Sequence, residues 1–373
     1  MLLRAIVFAL CSLATVLGCA NCAGRGRGSP ADAADTASSG DAVDVAQSDA
    51  RDAEAGVTVC PDPPACDAPP PPLGATSSWN HPVATGIVVA QGSERHRGRD
   101  LFLRVGDPQW VLAKFAYGAL DDDLKDEDVD LYLLRDCGAM WETLGTARTT
   151  NDGAMSTVEG VVDTGGRVYF PIPATATLGV GLHRVLLVVR GDHTMASQYI
   201  RVLPADARVV VSDVDGTLTD SENAQFTALF TGTSPGANPG AAAALGSLTR
   251  RGYFVWYLTA RPEWLGTRTH EWLAQRGFPL GIVHTTLTFT GATSAPAQTF
   301  KTDELAMFLA RFGRVPEYGF GNTVTDVGAY ADSGINPMHA YYYLFTGDTR
   351  GGNSLADYRT LVSGFDALPA ICR

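Results

Sequence analysis

The sequence predicts an α/β domain with a parallel sheet, preceded by a β-sandwich domain. Three observations support this fold class. At roughly 150 residues per domain, a chain of 373 residues is long enough for more than two domains. Between residues 79 and 203, short apolar runs alternate with turn residues, and after residue 207 β-branched runs end in polar side chains. The hydrophobic fraction of 45% and the charged fraction of 18% are typical of a soluble globular protein.

The N-terminus resembles a signal peptide over residues 1–18, because Arg4 precedes an apolar stretch from Ala5 to Leu17. This stretch is too short to span a membrane permanently. Cys19 follows directly and resembles the lipidated cysteine of bacterial lipoproteins. The resemblance implies an exported protein of the bacterial cell envelope, periplasmic or on the outer surface, held to a membrane by a lipid anchor on Cys19. An ordinary secretory signal cleaved nearby is the alternative.

Residues 19–78 predict a disordered, acidic and proline-rich tether. No aromatic residue occurs from Ala20 to Ser78, and acids outnumber bases 9 to 3 there. Such a segment buries too little apolar surface to offset its chain entropy. Cys60 and Cys66 lie in this segment at a spacing compatible with a small disulfide loop, although the pairing of cysteines does not follow from sequence.

The net charge of −12 comes from 40 acidic and 28 basic residues. A general positive field, through which nucleic-acid-binding proteins attract the phosphate backbone, is therefore not expected. The sequence predicts no nucleic-acid partner.

Residues 79–203 predict a β-sandwich domain of immunoglobulin-like topology, because about seven short apolar or alternating runs are separated by Gly, Asp, Asn and Pro. An acidic stretch, Asp121 to Asp130, is read either as a calcium-binding loop or as a solvated loop between strands. The seven predicted strands are Gly86 to Ala90, Asp100 to Val105, Trp110 to Ala116, Val129 to Leu134, Val168 to Ile172, His183 to Val189 and Gln198 to Leu203.

Residues 204–373 carry the chemistry. The β-branched run Arg208 to Ser212 predicts a buried parallel strand, and it ends in Asp213-Val214-Asp215-Gly216-Thr217. Two carboxylates two residues apart point the same way, at the sheet edge where open α/β folds bind ligands. Asp213 is suited to attack phosphorus, and Asp215 to protonate the leaving oxygen and activate water. Both tasks require a hard cation, because carboxylate and phosphate are both anions.

This segment resembles the first motif of the haloacid dehalogenase superfamily, and the other motifs follow in order. A strand from Tyr253 to Leu258 ends in Thr259, Lys301 lies at the head of a predicted helix, and Gly319 to Asp326 matches the fourth motif. The resemblance implies a Rossmann-like phosphatase domain. It also implies that Thr259 binds the phosphoryl group and that Lys301 holds phosphate and nucleophile together.

The same resemblance implies Mg²⁺ as the cofactor. Its ligands would be Asp213, the backbone carbonyl of Asp215, Asn322 and Asp326, directly or through water. Thr217 is expected to bind substrate. Arg261 lies in the loop after Thr259 and is read either as a phosphate clamp or as half of a structural salt bridge.

Within the superfamily, the chain is most similar to lipin-type phosphatidate phosphatases and to the C-terminal domain of retinal-degeneration-B-type phosphatidylinositol-transfer proteins. The similarity covers roughly residues 207 to 347. It implies Mg²⁺-dependent hydrolysis of phosphatidic acid to diacylglycerol. The alternative is a catalytically weak module that binds phosphatidic acid. A third hypothesis is a phosphatase for soluble or glycan-linked phosphate. The residues that carry it are Asp213 to Thr219, Tyr257 to Trp264, Trp272 to Gly281 and Gly319 to Gly334.

The spacing of the motifs predicts an open site. Thr217, Thr259 and Lys301 are separated by 42 residues each, which leaves no room for a large cap domain. An uncapped site is accessible to a phospholipid head group in a membrane or to another phosphomonoester. Trp264, beside the site, is the best candidate for touching a membrane.

Overall fold

The computed structural model describes residues 59–221 and 234–372. The described residues belong to one compact unit. The predicted signal peptide, Cys19 and residues 19–58 of the predicted tether lie outside the described residues.

The described end of the predicted tether, residues 59–78, contains no helix or strand but is tied to the folded unit. Disulfides join Cys60 to Cys372 and Cys66 to Cys137. The small loop between Cys60 and Cys66 is therefore not closed by a disulfide. The Trp141 indole also donates a hydrogen bond of 2.7 Å to the Pro69 carbonyl oxygen, so this segment is anchored at several points.

The first half of the folded unit is a β-sandwich, as predicted. A three-stranded sheet has the order β1-β3-β8, and a five-stranded sheet has the order β2-β10-β9-β6-β7, in which only the β2–β10 pair is parallel. A short pair, β4-β5, stands beside them. The strands are β1 Arg97–Gly98, β2 Leu101–Arg104, β3 Trp110–Lys114, β4 Ala116–Tyr117, β5 Asp122–Asp123, β6 Asp128–Leu134, β7 Trp141–Arg148, β8 Arg167–Pro171, β9 Gly181–Val189 and β10 Met195–Leu203.

Six of the seven predicted strands are present, and one prediction is wrong. The run Gly86 to Ala90 is not a strand but belongs to helix α1, Pro82–Val89. A short apolar run does not distinguish a strand from a helix by periodicity, and Pro82 in the first turn already favours a helix start. Strand β7 escaped prediction because Trp141–Arg148 has no buried face: each of its residues is exposed or half-buried.

The acidic stretch from Asp121 to Asp130 is neutralised by basic side chains. Arg97 contacts Asp121 at 2.6 Å, Lys114 contacts Asp123 at 2.7 Å, and Arg190 contacts Asp130 at 2.7 Å. Among the residues that the structure describes, no group of three or more acidic, His or Cys side chains is placed to hold a metal ion.

The second half is an α/β domain whose six-stranded sheet is parallel throughout, as predicted, in the order β13-β12-β11-β14-β15-β16. Strand β11, which leads into Asp213, is interior to the sheet. The elements are β11 Val209–Ser212, α2 Ala241–Arg250, β12 Phe254–Leu258, α3 Gly266–Gln275, β13 Ile282–His284, α4 Ser294–Phe312, β14 Tyr318–Gly321, α5 Val324–Asp332, β15 Ala340–Tyr343, β16 Asn353–Leu355 and α6 Arg359–Asp366.

Alternate residues of the central strands serve two different cores. Val210 faces a cluster formed with helices α2 and α6, whereas Val209 and Val211 face a cluster with α4 and α5. The second cluster also contains Phe102 and Leu203 of the sandwich. The two halves therefore share a hydrophobic core.

Buried ion pairs add a polar seam to this shared core. Arg99 of the sandwich contacts Glu304 of α4 at 2.5 Å, and Glu304 also contacts the His284 imidazole at 2.5 Å. Nearby, Arg97 and Arg167 both contact Glu263, at 3.1 and 2.8 Å. Removing one partner of a buried pair leaves an uncompensated charge in a water-poor site. The contacts of Arg99 with Glu304 and of Arg97 and Arg167 with Glu263 therefore tie the sandwich to the α/β domain.

Both glutamates of the seam have lowered pKa values. Burial by itself would raise the pKa of Glu304, but Arg99 and His284 outweigh it and lower the pKa to about 2. Burial by itself would likewise raise the pKa of Glu263, but the guanidinium groups of Arg97 and Arg167 outweigh it and lower the pKa to about 2. Each carboxylate is therefore more stable in the folded protein than in the unfolded chain.

We predict an acid-labile seam. A folded-state pKa of about 2, against 4.5 in the unfolded chain, stabilises the fold fully above pH 4.5, and this stabilisation is lost as the pH falls towards 2. The variant Glu304→Gln removes one such carboxylate, so its free energy of unfolding at pH 7 should fall by about 3 kcal/mol. Denaturant unfolding at a series of pH values measures both effects.

The matched control is Asp303→Asn, which neutralises the exposed neighbour on the same helix. It should change stability by less than about 0.5 kcal/mol. The difference between Glu304→Gln and the parent protein should shrink below pH 4.5. A difference that stays constant down to pH 2 would contradict the ionic origin of the seam.

Candidate active site

A buried lysine lies between two carboxylates at the carboxyl end of the sheet. The Lys301 ammonium contacts Asp213 Oδ1 at 2.6 Å and Asp326 Oδ1 at 2.5 Å, and all three side chains are buried. Asp213 comes directly after β11, and its backbone N–H donates to the Phe320 carbonyl of the neighbouring β14. The sequence predicted Lys301 at the head of its helix, and this is wrong. Lys301 lies seven residues beyond the first residue of α4.

The chain brings Asp326 to this lysine through a capping box at the start of α5. Asp326 Oδ2 accepts hydrogen bonds from the backbone N–H groups of Asn322 and Thr323, both at 3.0 Å, and from the Thr323 hydroxyl at 2.8 Å. Gly321 permits this approach, because a Cβ atom there would lie 2.4 Å from the Asp326 Cβ. Both oxygens of Asp326 are therefore engaged by the protein.

Thr217 links the first and fourth motifs. Its hydroxyl lies 3.1 Å from Asp213 Oδ2 and 2.8 Å from the Asn322 side-chain oxygen. The turn that carries Thr217 begins at Gly216, whose φ of 71° is the left-handed conformation that glycine adopts without strain. The structure thus places the oxygen atoms of Asp213 and Asn322 around one buried hydroxyl.

A second cluster contains Asp215, Thr259 and Arg261. The guanidinium of Arg261 donates two hydrogen bonds of 2.7 Å to the two oxygens of Asp215, and a third of 2.9 Å to the Thr269 hydroxyl. The Thr259 hydroxyl lies 3.4 Å from Asp215 Oδ2. Of the two readings of Arg261, the geometry shows the salt bridge. A phosphate contact by Arg261 stays a prediction.

Sequence reasoning missed the residues that hold this framework in place. The Asn238 side chain donates to the carbonyl oxygens of Gly216, Thr217 and Thr219, at 3.2, 2.8 and 3.0 Å, and so fixes the turn of the first motif. Glu263, two residues after Arg261, is held by the sandwich arginines. No local sequence pattern marks either residue, because their partners are distant in sequence.

The electrostatics of the first cluster are unbalanced. Two carboxylates, Asp213 and Asp326, face one ammonium, Lys301. Burial raises the pKa of Asp213, Lys301 opposes this, and Asp326 and Asp215 add to it, so that the pKa of Asp213 lies at about 7. Burial opposes ionisation of Lys301, yet the two carboxylates raise the pKa of its ammonium. The site therefore holds excess negative charge that a bound cation would compensate.

The donor set fits a hard cation in part. Oxygen ligands suit Mg²⁺, and Asp213 and the Asn322 side-chain oxygen are adjacent through Thr217. Asp326 is occupied by Lys301 and by the loop backbone, which makes it a support for the ligands.

Comparisons with known proteins match both halves of the chain. The family model "PITM 1-3, LNS2 domain" matches residues 210–343, and the model "PITM 1-3, beta-sandwich domain" matches residues 94–159 and 155–202. LNS2 domains belong to the haloacid dehalogenase-like phosphatase superfamily, which agrees with the motif resemblance. The structure of an apo phosphoserine phosphatase is 11% identical in sequence. The match covers 42% of this chain and 98% of the phosphatase chain, with a TM-score of 0.31, which is too low to establish a structural relationship.

Several animal proteins are similar in sequence. Membrane-associated phosphatidylinositol transfer protein 2 of Mus musculus is 30% identical over 259 residues, which are 69% of this chain and 18% of the relative. Membrane-associated phosphatidylinositol transfer protein 1 of Homo sapiens is 30% identical over 263 residues, which are 69% of this chain and 19% of the relative. Protein retinal degeneration B of Drosophila melanogaster is 30% identical over 253 residues, which are 67% of this chain and 18% of the relative. The chain spans about a fifth of the length of these relatives.

These relatives overturn one expectation. The exported, lipid-anchored protein of a bacterial cell envelope, with a signal peptide over residues 1–18 and a lipid on Cys19, is contradicted by similarity to eukaryotic membrane-associated proteins. The expectation depended on a short apolar stretch followed by one cysteine, a pattern that carries little information, and both lie outside the described residues. Within the described residues, no helix is long and apolar enough to cross a membrane.

The lipin-type resemblance is therefore refined rather than replaced. Residues 94–202 match the β-sandwich domain of the PITM proteins, and residues 210–343 match their LNS2 domain. Over this region the chain is homologous to retinal degeneration B and to the membrane-associated phosphatidylinositol transfer proteins.

Proposed function

We propose that this protein binds the phosphate of a phosphomonoester at Asp213 and hydrolyses it with Mg²⁺, and that the substrate is phosphatidic acid. The observation that carries the proposal is the buried Lys301 ammonium between Asp213 and Asp326. It supports an anionic nucleophile held in a defined rotamer at the edge where parallel sheets bind ligands. The names of the relatives support a phospholipid as the partner.

In this proposal each residue has a definite task. Asp213 attacks phosphorus and the leaving alkoxide takes a proton from Asp215, which later receives a proton from the attacking water. Lys301 holds the Asp213 carboxylate and offsets the negative charge that gathers at the site. Thr217 and Thr259 orient the phosphoryl oxygens.

Mg²⁺ would be held by Asp213, Asn322 and the Asp215 backbone carbonyl, and when bound it would neutralise charge on the phosphate oxygens. Asp326 supports this set from behind, because one of its oxygens contacts Lys301 and the other holds the loop that carries Asn322. No proton transfer depends on Asp326.

One observation favours a second candidate function, binding of phosphatidic acid without turnover. Both oxygens of Asp215 accept hydrogen bonds from Arg261. Proton transfer from Asp215 requires at least one of these bonds to be exchanged for the leaving oxygen. If Arg261 retains both hydrogen bonds to Asp215, the site would still have the buried Lys301 ammonium for the phosphate but would lack a general acid. The relatives are named transfer proteins, which is compatible with this reading.

The first test measures phosphate release from vesicles that contain phosphatidic acid, with and without Mg²⁺. We expect Asp213→Asn to lower the rate by more than about 10³-fold, because it removes the nucleophile. Asp215→Asn should lower it by roughly 10²–10⁴-fold, the usual contribution of a general acid or base. Vesicle co-sedimentation in parallel measures binding, which Asp215→Asn should leave unchanged.

A matched control for this test is Asp332→Asn, an exposed carboxylate on α5. It should leave the rate unchanged. Phosphatidic acid recovered intact after long incubation with Mg²⁺, together with co-sedimentation, would support binding alone. Release from soluble or glycan-linked monoesters but not from vesicles would support the third reading. Release that persists in Asp213→Asn would overturn the proposed mechanism.

The second test concerns the cation. Asn322→Ala removes a proposed ligand, and Asp326→Asn weakens the support behind it. Each should raise the Mg²⁺ concentration for half-maximal effect by roughly 10–100-fold. Calorimetric titration of Mg²⁺ into the protein without substrate measures the same shift independently of turnover. Equal Mg²⁺ affinity in the parent protein and in Asn322→Ala would remove Asn322 from the ligand set.

A further inference from the structure

The carbonyl oxygen of Thr217 accepts hydrogen bonds from two side chains that are far apart in the chain. Nδ2 of Asn238 donates at 2.8 Å, and the phenol of Tyr358 donates at 3.1 Å. Tyr358 is fully buried, immediately precedes α6, and lies outside residues 210–343, which match the LNS2 family model. A segment that follows the family match therefore contacts the first motif.

These hydrogen bonds fix the peptide planes on both sides of Thr217. The plane before it is held through the Gly216 carbonyl, which accepts from Asn238 at 3.2 Å, and the plane after it is held through its own carbonyl. Because a peptide bond is planar, fixing both planes fixes φ and ψ of Thr217, and with them the direction of its Cβ atom. A β-branched side chain has few χ1 rotamers. The two donors therefore limit where the Thr217 hydroxyl points.

That hydroxyl is a contact between the first and fourth motifs. It lies 3.1 Å from Asp213 Oδ2 and 2.8 Å from the Asn322 side-chain oxygen. A rotation of the Thr217 backbone would change both distances. The backbone of Thr217 therefore sets the contact between the proposed nucleophile and a proposed cation ligand.

Both donors are held by close packing. The rings of Tyr358 and Tyr343 stack with centroids 5.1 Å apart. Gly240, two residues after Asn238, meets the start of α6, since a Cβ atom on Gly240 would lie 2.8 Å from the backbone nitrogen of Arg359. The turn that carries Asn238 and the helix start that carries Tyr358 therefore pack directly against each other.

We propose that Tyr358 and Asn238 are positioning residues that act through Thr217. By holding the Thr217 peptide, they keep its hydroxyl against Asp213 and Asn322. Neither donor has a task in proton or phosphoryl transfer. The inference rests on the proposed function, because the reaction that these residues support is the one at Asp213.

The first test uses the full chain and compares Tyr358→Phe, which removes only a hydroxyl, with Tyr343→Phe as its matched control. The Tyr343 hydroxyl makes no hydrogen bond within the described part of the chain. We expect Tyr358→Phe to lower kcat for phosphate release from phosphatidic acid vesicles about fivefold at unchanged KM, as for the loss of one neutral hydrogen bond. Tyr343→Phe should keep the rate of the parent protein.

Asn238→Ala should have a larger effect in the same assay. It removes the donor to the carbonyl oxygens of Gly216, Thr217 and Thr219, so kcat should fall by roughly tenfold or more. Equal kcat values in Tyr358→Phe, Asn238→Ala and Tyr343→Phe would overturn the positioning role.

A double-mutant cycle separates a positioning role from a general effect on stability. If Tyr358 acts through the Thr217 hydroxyl, Tyr358→Phe should cause the fivefold loss in the parent protein and no further loss in Thr217→Val, which lacks that hydroxyl. The same fivefold loss in both backgrounds would show that Tyr358 does not act through Thr217.

Two measurements do not depend on turnover. The ¹³C shift of the Thr217 carbonyl reports its hydrogen bonds, and it should move in Tyr358→Phe but not in Tyr343→Phe. Calorimetric titration of Mg²⁺ without substrate should show about fivefold weaker binding in Tyr358→Phe, because Asp213 and Asn322 meet through Thr217.

These measurements also separate the two proposals. If the parent protein releases no phosphate, the proposed phosphatase activity fails, and the Mg²⁺ affinity alone then decides whether Tyr358 positions the cation ligands. If the parent protein is active, unchanged kcat and unchanged Mg²⁺ affinity in Tyr358→Phe would overturn the positioning role and leave the phosphatase activity standing.

Discussion

The ammonium of Lys301 between Asp213 and Asp326 is the interaction on which the α/β domain depends. It joins the end of the central strand β11 to the middle of α4 and to the start of α5. Each group is buried, and removing the ammonium would leave two uncompensated carboxylates out of contact with water. Burial raises the pKa of Asp213, and the carboxylate of Asp326 adds to this effect while Lys301 opposes it. Three side chains therefore join the central strand to two helices.

The sandwich is part of the site's framework and not only its neighbour. Arg97 and Arg167 hold Glu263, which follows Arg261 in the loop after β12, and Arg261 in turn holds Asp215. One short loop therefore carries both Glu263, which the sandwich arginines hold, and Arg261, which contacts the second aspartate of the first motif. These contacts act beside the hydrophobic cluster that the two halves share.

The parts of the fold that could be predicted are those with local signals. The strand Val209–Ser212 is a β-branched run buried on both faces, and the polar residues after it are grouped by the geometry of a parallel sheet. The strand pattern therefore predicted that Asp213 and Thr259 lie at one edge, whereas Lys301 and Asp326 were assigned there through the motif resemblance. The reading of Gly86 to Ala90 failed because five apolar residues lack a distinguishing period. The disulfide partners were unpredictable because Cys60 and Cys372 are 312 residues apart.

The sequence by itself determined the order of the domains, the identity of the polar residues at the strand ends, and the negative charge that excludes a general basic surface. Only the tertiary structure decided what each charged side chain faces. Arg261 was equally suited to phosphate and to a carboxylate, and its contact with Asp215 follows from the packing of two loops from different strands. Arg99, Glu304 and His284 carry no motif, yet they form the seam between the halves. Local patterns encode which residues are buried, whereas the pairing of buried charges depends on distances between segments far apart in the chain.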